Sequence, residues 1–222
     1  MSEHDEIPLQ LEKPFGPRIA VAKLPMHIID NMNKYCDNVI AQGDEIRKKH
    51  DKSQDLVGHV AEELHCEIED ELLRELGNVL YGACSALYNN DFIERGGENK
   101  EIERLNIFGA WFVRSYKGDY NPVHIHTHSD FSCVVYTKVP SSIGETNFRN
   151  TKKRYATEGY IDFIFGSNGY CSPSNYSRKP EVGDIYVFPS LLMHTAYPFF
   201  GEGERRSFSA NMSLQFKNNQ KA

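Results

Sequence analysis

Three histidines alternate in the segment Asn121-Pro-Val-His-Ile-His-Thr-His-Ser-Asp130: His124, His126 and His128. Residues two apart in a strand point to the same face, so His124 and His126 can converge on one point outside a sheet. Paired imidazoles at that spacing suit a metal ion, although a solvent-facing alternation would look the same. His194 is the third candidate. It follows Gly183-Asp-Ile-Tyr-Val-Phe-Pro-Ser-Leu-Leu-Met, where a buried strand from Ile185 to Phe188 ends at Pro189 and a short loop delivers the histidine. Alone, His194 could equally be a satisfied core residue. Two ligands from one strand and a third from a distant one make a facial site with open coordination positions.

Further on stands Arg205-Arg206-Ser207. On a strand, Arg205 and Ser207 would share one face and Arg206 would take the other. A buried guanidinium grips a carboxylate in bidentate fashion, whereas a surface arginine pair would carry no such role.

These residues need a scaffold. Ile19 to Leu24 alternates and stops at Pro25, as a short strand would. From Met26 to about Lys49, Ile28, Ile29, Met32, Tyr35, Cys36, Val39 and Ile40 recur at three- and four-residue steps, which predicts a helix with a basic end. A second helix is expected from about Asp70 to Tyr88, broken by Asn89-Asn90-Asp91 and Gly96-Gly97. From about Ile102 the pattern changes to short β-type runs: Leu105–Tyr116, Val123–His126, Phe131–Lys138, Tyr160–Phe165, Asp184–Phe188, His194–Tyr197 and Arg206–Phe216. Gly, Pro, Asn and Ser clusters separate them, which indicates a sandwich or barrel. The expectation is a single domain, with residues 1–100 as helical support and residues 101–222 as a jelly-roll core.

The 222 residues suffice for one full core, and 40% hydrophobic with 25% charged residues is ordinary globular composition. A net charge of −6 argues against a nucleic-acid binder. No run of about 20 apolar residues is present to span a membrane. The acidic N-terminus lacks the apolar stretch of a secretory signal. Cys36, Cys66, Cys84, Cys133 and Cys171 form no CxxC pair, and such scattered thiols suit the reducing cytoplasm.

The stretch from Tyr116 to Phe216 resembles the 2-oxoglutarate- and Fe(II)-dependent oxygenases. Within them it is most similar to the prolyl-4-hydroxylase-like branch and the small oxygenases of marine phages and bacteria. Four ordered pieces carry the resemblance: Tyr-Lys-Gly-Asp-Tyr-Asn-Pro-Val-His-Ile-His, Phe-Ser-Cys-Val-Val-Tyr, Gly-Asp-Ile-Tyr-Val-Phe-Pro-Ser-Leu-Leu-Met-His, and Gly-Glu-Arg-Arg-Ser-Phe-Ser-Ala-Asn. The resemblance implies a double-stranded β-helix, mainly β with N-terminal helices. It implies Fe(II) on His124, His126 and His194, and 2-oxoglutarate as co-substrate with its far carboxylate on Arg205 and Ser207. Tyr136 would donate a hydroxyl to that carboxylate, and Tyr116 would line the pocket. Trp111 is expected instead as a core anchor. Oxygen would be consumed, a C–H bond hydroxylated, and succinate and CO2 released, with a prolyl or other peptide side chain as substrate.

One departure stands out. The family motif is His-x-Asp or His-x-Glu, and here His126 holds the carboxylate's place, which leaves the metal site one positive charge higher. Asp130 is the nearest carboxylate, expected as a partner behind the ligands or as a substitute for His126. The loops Glu145–Gly159, with Arg149, Lys152, Lys153 and Arg154, and Gly166–Pro180, with Asn168, Tyr170, Tyr176 and Arg178, are expected at the barrel mouth. Two other readings share the barrel: a cupin-type metal enzyme without 2-oxoglutarate, and a non-catalytic binding module.

Overall fold

The computed structural model describes residues 7–14, 16–51, 58–67, 71–144 and 157–217. The chain opens with β1 (Gln10–Glu12) and β2 (Ile19–Lys23), followed by α1 (Met26–Ala41) and α2 (Asp44–His50). Next come β3 (Glu62–His65) and α3 (Glu71–Leu87), which runs on into one π-helical turn, Tyr88–Ile93. The remainder is β: β4 (Ile102–Ser115), β5 (Asn121–His124), β6 (Phe131–Lys138), β7 (Ile161–Ile164), β8 (Asn175–Arg178), β9 (Asp184–Pro189), β10 (Met193–Ala196) and β11 (Arg205–Phe216).

The strands form two antiparallel sheets. A seven-stranded sheet has the order β1-β2-β9-β6-β11-β4-β3, and a four-stranded sheet has the order β5-β10-β7-β8. This is the mainly β jelly roll expected from the sequence. The first hundred residues nevertheless do more than support it, because β1, β2 and β3 complete both ends of the large sheet.

Strand alternation gives the large sheet two different faces. One face, with Ala110, Phe112, Cys133, Val135, Phe208 and Ala210, packs against the helices in the main core. Ile28, Ile29, Met32, Cys36 and Val39 of α1 and Leu76, Leu80, Ala83, Cys84 and Leu87 of α3 complete that layer. The other face meets the small sheet, where Val134, Tyr136, Ile161, Phe163, Tyr186 and Phe188 form a second core. Burying a side chain of this size contributes about 1.5–3 kcal/mol.

Two helical expectations change. The helix drawn from Met26 to Lys49 is two helices, because Gly43 sits at φ 93°, a conformation that ends α1 and starts α2. The described residues of α2 include none that is buried, so its basic end is a solvated face. The second helix does not stop at Asn89. It widens into the π-helical turn, and the Asn90 side chain donates to the Ala86 carbonyl at 2.7 Å.

Candidate active site

The small sheet delivers the histidines. β10 pairs antiparallel with β5, and His194 lies directly opposite His124, with ring centroids 4.2 Å apart. His126 lies two residues beyond the end of β5, where its amide donates to the Ser190 carbonyl at 2.9 Å. The expected strand through His126 is therefore shorter, and this loop bond extends the strand-like course. The His126 ring lies 5.2 Å from His124 and 5.1 Å from His194. One ligand nitrogen from each of the three lies within 4.8 Å of the others, which is the spread that a single metal ion bridges.

The rings are also oriented. His124 Nδ1 lies 2.8 Å from the Pro122 carbonyl, and His194 Nδ1 lies 2.9 Å from the Leu192 carbonyl. A carbonyl can only accept, so each Nδ1 carries the proton and each Nε2 keeps its lone pair for a metal. His126 is instead packed against Trp111 at 5.7 Å between centroids. Burial lowers the His124 pKa. Burial, with the His124 charge second, brings His126 down to about 4, and burial brings His194 down to about 3. All three rings are thus neutral ligands near neutral pH.

The same cavity runs between the sheets to Arg205. Its floor follows from register: Trp111, Val113 and Ser115 of β4 lie opposite Ser209, Ser207 and Arg205 of β11. On the other side of β11, Ser207 faces Tyr136. Arg205 is 4% exposed, and its Nη1 donates to the Tyr197 carbonyl at 2.9 Å and to the Gly159 carbonyl at 3.2 Å. Among the described residues no carboxylate lies within ion-pair distance of it. The ring of Phe199 lies under the guanidinium at 5.5 Å. Burial pulls its pKa below the ordinary arginine value, yet such a group stays charged. Burial likewise raises the Tyr136 phenol, keeping it a neutral hydroxyl that can donate.

Several expectations are corrected. Tyr116 lies outside the cavity, 37% exposed, where its hydroxyl accepts from Arg114 Nη2 at 2.5 Å. The residue before it, Ser115, points inward, so parity turns Tyr116 away. Trp111 is a cavity wall rather than a core anchor. Asp130 neither joins nor backs the histidine cluster: its carboxylate accepts from the Leu214 amide at 3.0 Å, and it lines a different cavity on the helical side of the large sheet. Tyr176 and Arg178 are not mouth residues either. Tyr176 packs near Phe163, and both side chains engage Glu12. Tyr170 is fully exposed, while Arg149, Lys152, Lys153 and Arg154 lie outside the described residues.

The sequence reading also missed wall residues. Ser115 and Ser209 become legible only once β4 is registered on β11. Val60 reaches the cavity from a segment held by the reciprocal bonds between His59 and Tyr120, at 2.9 and 2.8 Å, which no periodicity announces.

Three neutral imidazoles at one end and an unpaired buried cation at the other suit a metal ion and an acidic chelator. Residues 109–211 match the family model described as putative 2OG-Fe(II) oxygenase. Over those residues the chain is similar to the 2OG-Fe(II) oxygenases. Members of that family use Fe(II) and 2-oxoglutarate, and the residues present fit both. No curated protein matches the sequence. Among solved structures, a prolyl-4-hydroxylase from Pseudomonas putida is 12% identical with TM-score 0.54, covering 90% of this chain and 93% of its own. The viral collagen prolyl hydroxylase of Paramecium bursaria Chlorella virus-1, in complex with 2OG, is 13% identical with TM-score 0.51, covering 87% and 94%. An α-ketoglutarate-dependent carbocyclase of nogalamycin biosynthesis is 12% identical with TM-score 0.56, covering 91% and 83%. At these identities the likeness is one of fold, and the oxygenase fold serves more than one reaction.

Proposed function

We propose that this oxygenase hydroxylates a C–H bond and releases succinate and CO2, with His124, His126 and His194 holding the iron and Arg205 holding the far carboxylate of 2-oxoglutarate. The observation that carries the reading is Arg205: a buried cation in the histidine cavity that, among the described residues, is bonded only to carbonyl oxygens. A cupin without 2-oxoglutarate, or a module without metal, would have no use for that charge at that place.

Bound iron with 2-oxoglutarate supplies the oxidising power for C–H attack. The chain supplies the arrangement. The Pro122 and Leu192 carbonyls fix two imidazoles with Nε2 outward. Arg205 and the Tyr136 and Ser207 hydroxyls, all on the cavity lining, would hold the dicarboxylate there. Val134, Ile161, Phe188 and Trp111 keep its walls dry, which strengthens every charge interaction inside. β5, which carries His124, is the end strand of its sheet; His59 bridges Tyr120 just before it, and an extended peptide segment would lie beside its His124 end. This supports a prolyl or other peptide side chain as the substrate, as for the two prolyl hydroxylases of like fold.

The test is succinate formation with purified protein, Fe(II), 2-oxoglutarate and a panel of peptides, amino acids and small metabolites. Turnover that disappears in His194→Ala supports the proposal. Turnover unchanged in that variant removes the histidine cluster from the reaction.

A further inference from the structure

A second cavity, of about 520 Å³, opens on the helical side of the large sheet, where the end of α3 widens into the π-helical turn. That volume lies in the range of small-molecule sites, and π turns within helices often mark functional positions. Leu87, Phe131 and Leu214 line it together with three rings. Tyr88 stacks on Phe92 at 5.2 Å and lies 5.0 Å from Phe216. Phe92 is 52% exposed, yet it is seated: a Cβ added at Gly97 would come within 2.3 Å of its ring.

Among the described residues, five charged side chains line this cavity: Asp91, Arg95, Glu98, Lys100 and Asp130. Three of them are already matched. Asp91 Oδ1 lies 2.6 Å from Arg18 Nη1, and Lys100 Nζ lies 3.3 Å from Glu98. The two that remain have opposite signs. Arg95 Nη2 donates to the Gly16 carbonyl at 3.2 Å, and among the described residues no carboxylate lies within ion-pair distance of its guanidinium. The Asp130 carboxylate accepts through Oδ2 from the Leu214 amide at 3.0 Å, and among the described residues nothing donates to Oδ1. Both residues are exposed, so a ligand can reach them from water.

We propose that this cavity binds a zwitterion with an aromatic or large aliphatic body, a free amino acid or a short peptide, with its carboxylate on Arg95, its ammonium on Asp130 and its apolar part against Tyr88 and Phe92. A guanidinium holds a carboxylate through two parallel N–H bonds, and a carboxylate accepts charge-assisted bonds from an ammonium. An anion alone would leave Asp130 unmatched, and a cation alone would leave Arg95 unmatched. The apolar part covers ring surface that otherwise faces water, and aromatic pairs add to that gain. The histidine cavity lies on the other face of the large sheet, so the two sites are separate and can be filled together.

The experiment is anaerobic calorimetric titration of the full-length protein, with Fe(II) and 2-oxoglutarate present. The probes are L-phenylalanine, the dipeptide Phe-Phe, hydrocinnamate as the anion alone and phenethylamine as the cation alone. One of the two zwitterions should bind, with the same affinity in His194→Ala as in the wild type. Tighter binding of the dipeptide identifies a peptide ligand, and tighter binding of phenylalanine identifies a free amino acid. Each single-charge probe should bind about tenfold more weakly than the zwitterion, the lower end for hydrogen bonds to charged groups. Arg95→Gln should weaken the zwitterion about tenfold and leave phenethylamine unchanged, while Asp130→Asn should weaken it about tenfold and leave hydrocinnamate unchanged. Phe92→Ala, at an exposed position, should weaken every probe. Circular dichroism melts establish that each variant is folded, and should Asp130→Asn fail to fold, Arg95→Gln with its phenethylamine control decides alone. The absence of zwitterion binding at millimolar concentration overturns the proposal. So does binding that is lost in His194→Ala, which would place the ligand in the histidine cavity, and so does an equal loss of both single-charge probes in Arg95→Gln.

Discussion

Arg205 and Arg206 are neighbours on one strand, both buried, yet they live in opposite worlds. Arg206 faces the helices and is saturated: its Nε donates to Glu204 at 2.8 Å, its Nη2 to Asp37 at 2.7 Å and its Nη1 to the Asn33 carbonyl at 3.3 Å. Glu204 also accepts from Arg114 Nε at 2.7 Å, and Arg114 pairs with Glu62. Arg205 faces the cavity with two carbonyl partners and, among the described residues, no carboxylate within ion-pair distance. A buried charge is costly unless paired, so a paired one is architecture, and one beside a cavity without a paired carboxylate suits an incoming anion. The same contrast separates the two sides of β11: on the helical side Arg206 is matched by Glu204 and Asp37, and on the cavity side Arg205 shares its space with three inward-turned imidazoles.

The comparison can be broken from its structural side first. Arg206→Ala removes the fully buried member of the Asp37–Arg206–Glu204 array. It should cost about 3 kcal/mol of stability, the lower end for breaking a buried pair, because Asp37 is half-exposed and Glu204 keeps Arg114. Urea denaturation would show this, and a change too small to resolve would mean that the array contributes nothing.

A smaller effect belongs to pH. In the metal-free protein the His126 and His194 pKa values lie near 4 and 3, below the roughly 6.5 of an unfolded chain. The unfolded state binds protons first, so stability is full above about pH 6.5 and falls as pH drops toward 4. The slope approaches 1.4 kcal/mol per unit for each histidine. Melting curves from pH 7.5 to 4.5 should show this loss, and His126→Gln should make it shallower. A pH-independent melt over that window would contradict neutral buried imidazoles.

The smallest effect sharpens the receptor side. Tyr136→Phe deletes one hydroxyl opposite Ser207 and should weaken 2-oxoglutarate by about 1 kcal/mol, the typical net value of a hydrogen bond. Calorimetric titration would detect it, while the melting temperature should hardly move.

What the sequence made legible follows from periodicity. β6 spans Phe131–Lys138, as the alternation indicates, and α1 buries the face that its three- and four-residue steps mark. The two-residue spacing of His124 and His126, and the parity of Arg205 against Arg206, placed those side chains before any coordinates. Register is what a single chain does not display. Trp111 reads as a lone apolar anchor until β4 is laid on β11, where it lies opposite Ser209 and beside His126. Tyr116 reads as a pocket residue until Ser115 is seen to take the inward position. β3, Glu62-Glu63-Leu64-His65, and β8, Asn175-Tyr-Ser-Arg178, carry too little apolar alternation to announce themselves. They are edge strands, stabilised by pairing with β4 and β7. The turn at Gly43 rests on one residue's backbone angle, which a helical pattern on both sides conceals.

The most direct test of the central claim is the 2-oxoglutarate affinity of Arg205→Ala set against Arg206→Ala, measured by anaerobic calorimetry on folded, Fe(II)-loaded protein. The account predicts that Arg205→Ala loses about 2–5 kcal/mol of binding, a drop of at least about 30-fold, because a buried carboxylate is left without its partner. Arg206→Ala, at a temperature where it remains folded, should bind within about threefold of the wild type, since its side chain lies on the other face of the sheet. Equal losses in the two variants, or no loss in Arg205→Ala, would contradict the assignment of Arg205 as the receptor for 2-oxoglutarate.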